Sequence, residues 1–290
     1  VKTAMHFPVD WVLLRDAVRT LMLAVKLIRK QALKHRMEDP AEFMKRMNRL
    51  SIQMTHSRRK KNAKKEKKRV LRLMKKMVTA VEGHARHHRD LLDRQWEQTD
   101  LTRPQVDRIL RRIDHVIDLL PQARKQAHER IIGERLVKNE DKILSLYETD
   151  TNVIVRGKAG AESEFGNTLL LGETQQGLIV DWKLWQGSAP ADARLLEESV
   201  ERVEKGMGRK IKAIGGDRGF DSKSNQISLA DAEIYNGICP RDPRQLKEKM
   251  QEEKFAWLQK RRSQTEGRIG IFKNNFLGKP LRVKGFSRRE

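Results

Sequence analysis

The stretch RKIKAIGGDRGFDS, residues 209–222, decides how the second half of this chain is read. Ile211, Ala213 and Ile214 form a short apolar run, two glycines follow, and Asp217 opens a polar loop. That is the pattern of a strand running into a loop, and in open α/β sheets ligands bind beyond the carboxyl ends of the strands. The plainer role for Asp217 is a loop acid or helix N-cap, and this stretch alone leaves both roles open.

Working outward, the neighbouring segments keep the period of an α/β domain. KILSLYE (142–148) and TNVIVRG (151–157) are short and rich in β-branched or aromatic residues, and both are predicted strands. GNTLLLGE (166–173) and GLIVDWKLW (177–185), separated by Thr174-Gln175-Gln176, predict a hairpin. Helices are expected from Asp192 to about Lys205, from about Ser224, and over 251–275. The order β-β-β-α-β-α predicts a mixed sheet flanked by helices. GKAG at 157–160 lacks the length of a phosphate-binding loop and reads as a turn.

Upstream of residue 140 the period becomes helical. Leu13, Leu14, Ala17, Val18, Leu21, Ala24, Val25 and Ile28 recur at helical spacing after Asp10, a predicted N-cap. Asp39-Pro40 predicts a second helix, with the aspartate as cap and the proline in the first turn. A third helix is expected from Arg58 through Trp96. A fourth opens at Thr102-Arg103-Pro104 and is expected to end or kink at Pro121. The sum is an antiparallel bundle or long hairpin.

Charge divides the chain at the same place. The 290 residues hold 62 Lys+Arg against 39 Asp+Glu, a net +23. Residues 1–140 hold 35 basic and 17 acidic residues, whereas 141–290 hold 27 and 22, so the excess is concentrated in the helical half. Within it, 58–69 (RRKKNAKKEKKR) has nine basic residues out of twelve: Arg58, Arg59, Lys60, Lys61, Lys64, Lys65, Lys67, Lys68 and Arg69. A charge run is often a solvated helix face. In a domain that is basic throughout, contact with the phosphates of double-stranded DNA is the better reading, and such contacts make binding steeply salt-dependent without reading sequence.

Composition excludes other classes. Cys239 is the single cysteine, so neither a disulfide framework nor a Cys-based zinc cluster can form. No apolar run approaches the roughly 18–20 residues of a membrane span. No signal peptide is visible. His84, His87 and His88 could place two imidazoles on one helix face, but no acid or cysteine is positioned to complete a metal site, so they read as structural. The chain starts Val1-Lys2-Thr3 and stops at Arg289-Glu290, and it reads as a piece of a longer protein.

A second acid stands out in Lys260-Arg261-Arg262-Ser263-Gln264-Thr265-Glu266-Gly267-Arg268. Arg262, Glu266 and Lys273 fall at i, i+4 and i+11 and so share one helix face. An Arg–Glu pair accounts for the first two. Gly267 and Gly270 beside the acid cost helix stability, which predicts something packing close against them.

At these residues the chain resembles the catalytic half of bacterial insertion-sequence transposases of the DDE, ribonuclease-H-like superfamily, nearest to the IS4/IS5 and IS1182-like types. The resemblance covers KTAMHFPVDWVLLRDAVRTL, LYETDTNVIVRGKAGAESEFGNTLLL, GLIVDWKLWQG, AIGGDRGFDS and RRSQTEGRIGIFKN, the last two being the most specific. The family's third acid lies in a helical signature, Tyr-x2-Arg-x3-Glu-x6-Lys. Arg262, Glu266 and Lys273 match it, while Gln259 stands at the tyrosine position, a residue expected to touch DNA near the cleavage point.

The resemblance implies Asp217 as the second catalytic and metal-binding acid and Glu266 as the third. Two Mg²⁺ ions, with Mn²⁺ as an alternative, would serve in-line displacement at phosphorus. Arg262, Lys273, Arg268 and Arg218 would hold DNA. The first acid is expected in a strand just before the HFP-x-D opening, upstream of Val1. Asp150 is the alternative within the chain, with Glu148 and Asp181 behind it. The expected layout is a remnant of the first strand over 1–9, a basic helical DNA-binding insertion or N-terminal region over 10–140, and a C-terminally truncated ribonuclease-H-like domain over 141–290. The resemblance further implies transposon-end and target DNA as partners, a homodimer on DNA, and a cytoplasmic, nucleoid-associated location.

Overall fold

The computed structural model describes residues 9–57, 61–158, 161–277, 283 and 285–290. The chain divides into two compact units between Thr149 and Asp150.

The first unit is built on four helices: α1 (Asp10–Lys30), α2 (Pro40–His56), α3 (Ala63–Gln95) and α4 (Arg103–Ile131). α1 touches the other three, and the burial of Leu14, Ala17, Val18, Leu21, Met22, Val25 and Ile28 covers more than one stripe of it. A helix apolar over so wide an arc belongs at the centre. α2, α3 and α4 surround it with narrower stripes, such as Met47 and Met54, Leu71, Met74 and Val78, and Val106, Ile113 and Leu120. The expected starts of α2 and α4 are found. The Asp39 carboxylate accepts from Ala41 N at 2.7 Å with Pro40 in the first turn, and Thr102 N donates to the Gln105 carboxamide at 2.8 Å.

Three expectations are corrected in this unit. Pro121 does not end α4, which continues to Ile131. The ring costs one backbone hydrogen bond, but Leu120, Ala123 and Ala127 keep the core face buried on both sides of it. Asp10 is not the cap of α1, a position held by Val9. It is instead a buried acid, accepting from Gln126 Nε2 at 2.7 Å and Arg130 Nη1 at 3.0 Å. Finally, 142–148 is not a strand. The Gln126 carboxamide takes the place of a neighbouring strand, accepting from Ile143 N at 2.9 Å and donating to Ile143 O at 3.1 Å. Leu144 and Leu146 are buried, Leu146 within the bundle's core.

The second unit holds three two-stranded sheets rather than one mixed sheet among the described residues. β1 (Asn152–Lys158) pairs antiparallel with β2 (Ala161–Gly166), and β3 (Leu169–Glu173) antiparallel with β4 (Ile179–Leu184). After a 3-10 turn at Asp192–Arg194 comes α5 (Leu196–Met207), which packs against β4. β5 (Ala213–Gly216) then pairs parallel with β6 (Tyr235–Ile238) across α6 (Lys223–Asp231). α7 (Pro243–Lys249) and α8 (Glu253–Ile271) close the unit, followed by a π-helical turn at Phe272–Leu277.

α8 packs against both β5 and β6, and glycine allows it to come so close. A Cβ at Gly237 would overlap the Leu258 side chain and stand 2.8 Å from Ile214 O, so no other residue fits unless α8 or the strand shifts. Further along its length, α8 is also tied to the β3–β4 hairpin. The largely buried Glu173 carboxylate takes Arg261 Nη2 at 3.2 Å, Arg268 Nη1 at 3.1 Å and the Thr265 hydroxyl. These three residues sit at i, i+4 and i+7, one face of the helix.

Candidate active site

β5 ends at Gly216, and Asp217 follows in extended conformation, its carboxylate accepting from Arg218 N at 2.7 Å. Asp217 therefore caps the short Arg218–Phe220 turn, as the plainer reading had it, and still presents a side chain that is 66% exposed. Glu266 projects from α8 and is 64% exposed. The Arg262 guanidinium lies between them, with Nη1 2.7 Å from Glu266 Oε1 and 3.9 Å from Asp217 Oδ1. Two acids far apart in sequence thus meet on one guanidinium nitrogen. Left without that cation, they would repel each other.

Arg262 is itself held. Its Nε donates to Gln259 Oε1 at 3.2 Å, while Gln259 Nε2 donates to Gly237 O on β6 at 2.7 Å. Gln259 thus takes up the position where the resemblance expects tyrosine, facing the sheet with one end and Arg262 with the other. Lys273 lies in the π-helical turn, half-buried. Among the described residues nothing lies within 4 Å of where a Cβ at Gly267 or Gly270 would stand.

The other acids lie in different settings. Asp150 is a hub at the strand ends. Its Oδ1 accepts from Gln186 Nε2 at 2.6 Å, and its carbonyl accepts from the buried Asn167 Nδ2 at 2.7 Å. Asp181 is engaged by α5, with Arg202 Nε at 2.8 Å and Nη2 at 2.9 Å, and Ser199 Oγ at 2.6 Å. Burial pushes its carboxyl up, but the Arg202 and Ser199 hydrogen bonds outweigh this and hold it below the usual carboxylate range. Glu148 belongs to the first unit. Among the described residues no three His, Cys, Asp or Glu side chains gather closely enough to hold a metal ion, so Asp150 does not join Asp217 and Glu266.

The expected DNA-contacting residues divide as well. Arg268 is taken by Glu173, whereas Arg218 is exposed beside Asp217. Arg58, Arg59 and Lys60 lie outside the described residues. Lys61, Lys65 and Arg69 are exposed around the start of α3, and Lys67 is half-buried. Arg69 pairs with Glu66. Lys64 and Lys68 converge on Glu134 at 2.9 and 2.7 Å. These two hydrogen-bonded ammonium groups pull the Glu134 carboxyl down to about 2.

The histidine group proves larger than its sequence spacing suggested. His35 stacks on His87 with ring centroids 3.7 Å apart, His88 is fully buried with Nδ1 2.8 Å from His84 O, and His84 packs edge-on against Phe43. These rings are packing elements of the bundle.

Sequence reasoning missed Glu173 and the role of Gln259. The Arg261, Thr265, Arg268 spacing was the available signal for a partner of the first. Among the described residues no helix is long and apolar enough to cross a membrane. Comparison with protein-family models, curated proteins and solved structures returns no match.

Proposed function

We propose that the chain is part of a DDE transposase with a ribonuclease-H-like catalytic unit, an enzyme that cuts transposon-end DNA and joins it to a target. The observation that carries this reading is the meeting of Asp217 and Glu266 on Arg262, one acid at the end of a parallel strand and the other on the helix packed across it. The basic helical unit supports it, since its charge suits a polyanion.

The donor chemistry fits a hard divalent cation. Both groups are exposed carboxylates that already share a positive charge, and oxygen donors of this kind suit Mg²⁺ or Mn²⁺. Asp217 and Glu266 would hold it, with a third carboxylate expected from the segment before the HFP-x-D opening. Bound there, two such ions would activate a water or 3′-hydroxyl and stabilise the oxygen that leaves phosphorus. The chain's own residues do the remaining work. Arg262 keeps the two like charges together until substrate arrives, then offers its donors to a phosphate oxygen. Arg218 is exposed beside the same acid and suits an adjoining phosphate. The lysines at the start of α3 hold the duplex by its backbone.

Nicking of supercoiled plasmid in Mg²⁺ tests the proposal. Asp217→Ala and Glu266→Ala should each abolish nicking by the full-length protein, which carries the segment before the HFP-x-D opening, while leaving DNA retention in a gel unchanged. Nicking at the wild-type rate by both variants refutes it.

A second reading, a basic nucleic-acid-binding protein or transposase remnant without chemistry, is favoured by one observation: no third acid joins the pair among the described residues. It predicts that Mn²⁺ titration finds no site depending on Asp217 or Glu266. A stoichiometric site lost in either variant counts against it.

A further inference from the structure

The order in which β6, Gln259, Arg262 and the two acids touch points to a role for Gln259 that the signature does not supply. Gly237 and Gly215 are register partners in the parallel β5–β6 pair, and Leu258 of α8 packs over both. This close approach brings the next residue, Gln259, within 2.7 Å of Gly237 O. That oxygen accepts, so the carboxamide nitrogen must face the sheet and its oxygen must face outward. The outward oxygen meets Arg262 Nε at 3.2 Å. A guanidinium is planar, so fixing Nε also fixes the plane in which both terminal nitrogens lie. Nη1 then falls at 2.7 Å from Glu266 and 3.9 Å from Asp217.

We propose that Gln259 is a positioning residue: it locks the Arg262 guanidinium to the β5–β6 sheet and so sets where Arg262 meets the acid pair and, in the reaction, a phosphate. This rests on the phosphoryl-transfer reading for its consequence in catalysis, but not for its geometry. The side chain needs both a donor and an acceptor. Leucine of similar size has neither, and glutamate keeps only the acceptor.

The test uses the full chain labelled with ¹⁵N, following the arginine Nε–H signals, with Arg262→Lys identifying the one from Arg262. In the wild type that proton should exchange slowly. In Gln259→Leu it should exchange at least tenfold faster, and in Gln259→Glu, where the acceptor remains, it should stay slow. In the nicking assay Gln259→Leu should lower kcat by about 10- to 100-fold, as misplacement of a group holding substrate does, with KM for DNA unchanged, and Gln259→Glu, which cannot donate to Gly237 O, should not recover the loss. An Arg262 Nε–H signal indifferent to Gln259→Leu overturns the proposal, as does an unchanged kcat in a nicking-competent protein. A full-length wild type, with the segment before the HFP-x-D opening, that never nicks defeats the enzymatic reading alone, because proton exchange still judges whether Gln259 holds Arg262.

Discussion

The Arg268 guanidinium lies 3.1 Å from the largely buried Glu173 carboxylate, in the space a side chain at Gly177 would fill. Gly177 has φ +88°, which glycine adopts without strain, and it closes the turn between β3 and β4. Gly177→Ala should therefore act twice, straining the turn and displacing Arg268 from Glu173. The guanidinium can swing aside, so the backbone conformation supplies most of the cost, about 1–2 kcal/mol. Thermal unfolding should show a lower Tm, and combining it with Arg268→Ala should add little further loss. Full additivity of the two changes would show that they do not share this contact.

Glu134 occupies two lysines that could otherwise face DNA. Lys64 and Lys68 both bind its exposed carboxylate, and exposed pairs of this kind yield readily to a competing anion. Glu134→Gln should raise affinity for duplex DNA several-fold at low salt. It should also steepen the fall of log K with log salt by up to about two phosphate contacts' worth. A titration at several salt concentrations checks this, and an unchanged slope means these lysines do not reach DNA.

The bundle should weaken in mild acid. Burial lowers the pKa of both His84 and His88 from the usual 6.5; His35, His87 and Arg29 add to it, and in His88 the hydrogen bond to His84 O opposes it. Both rings are therefore more easily protonated in the unfolded chain than in the fold. Their contribution is complete above about pH 6.5 and declines as pH falls from there through the lower folded values. Urea unfolding between pH 8 and pH 5 should show stability falling with pH, with a shallower slope in His84→Gln. A slope of the opposite sign would show that the cluster is held in its charged form.

These sites differ in how far the sequence announces them. α2 and α4 were legible because their start signals are local, Asp39-Pro40 and Thr102-Arg103-Pro104. The 142–148 segment was not, because its strand-like apolar spacing is satisfied by Gln126 and the bundle core rather than by a strand. β6 escaped notice for a related reason: Tyr-Asn-Gly-Ile is short and contains the glycine that α8 requires. Asp217 and Glu266 could each be picked out by context, but their meeting on Arg262 depends on how α8 packs on β5 and β6. Glu173 was invisible because its three partners lie about ninety residues away, in a helix read for its other face.

The glycines of α8 and β6 should respond in opposite directions to the same substitution. Gly237→Ala places a methyl group against Leu258 and Ile214 O, so either α8 lifts or the strand shifts. Overpacking of this kind costs about 1–3 kcal/mol, and lifting α8 also separates Gln259 from Gly237 O, carrying Arg262 away from the acid pair. Gly267→Ala and Gly270→Ala meet nothing among the described residues and replace the poorest common helix former with the best, a gain of up to about 1 kcal/mol each. Thermal unfolding with far-UV circular dichroism should therefore show a lower Tm for the first variant and a higher Tm, with more helix, for the other two. A loss of stability in Gly267→Ala or Gly270→Ala would reveal a close neighbour on that face, and nicking lost together with it would place DNA there.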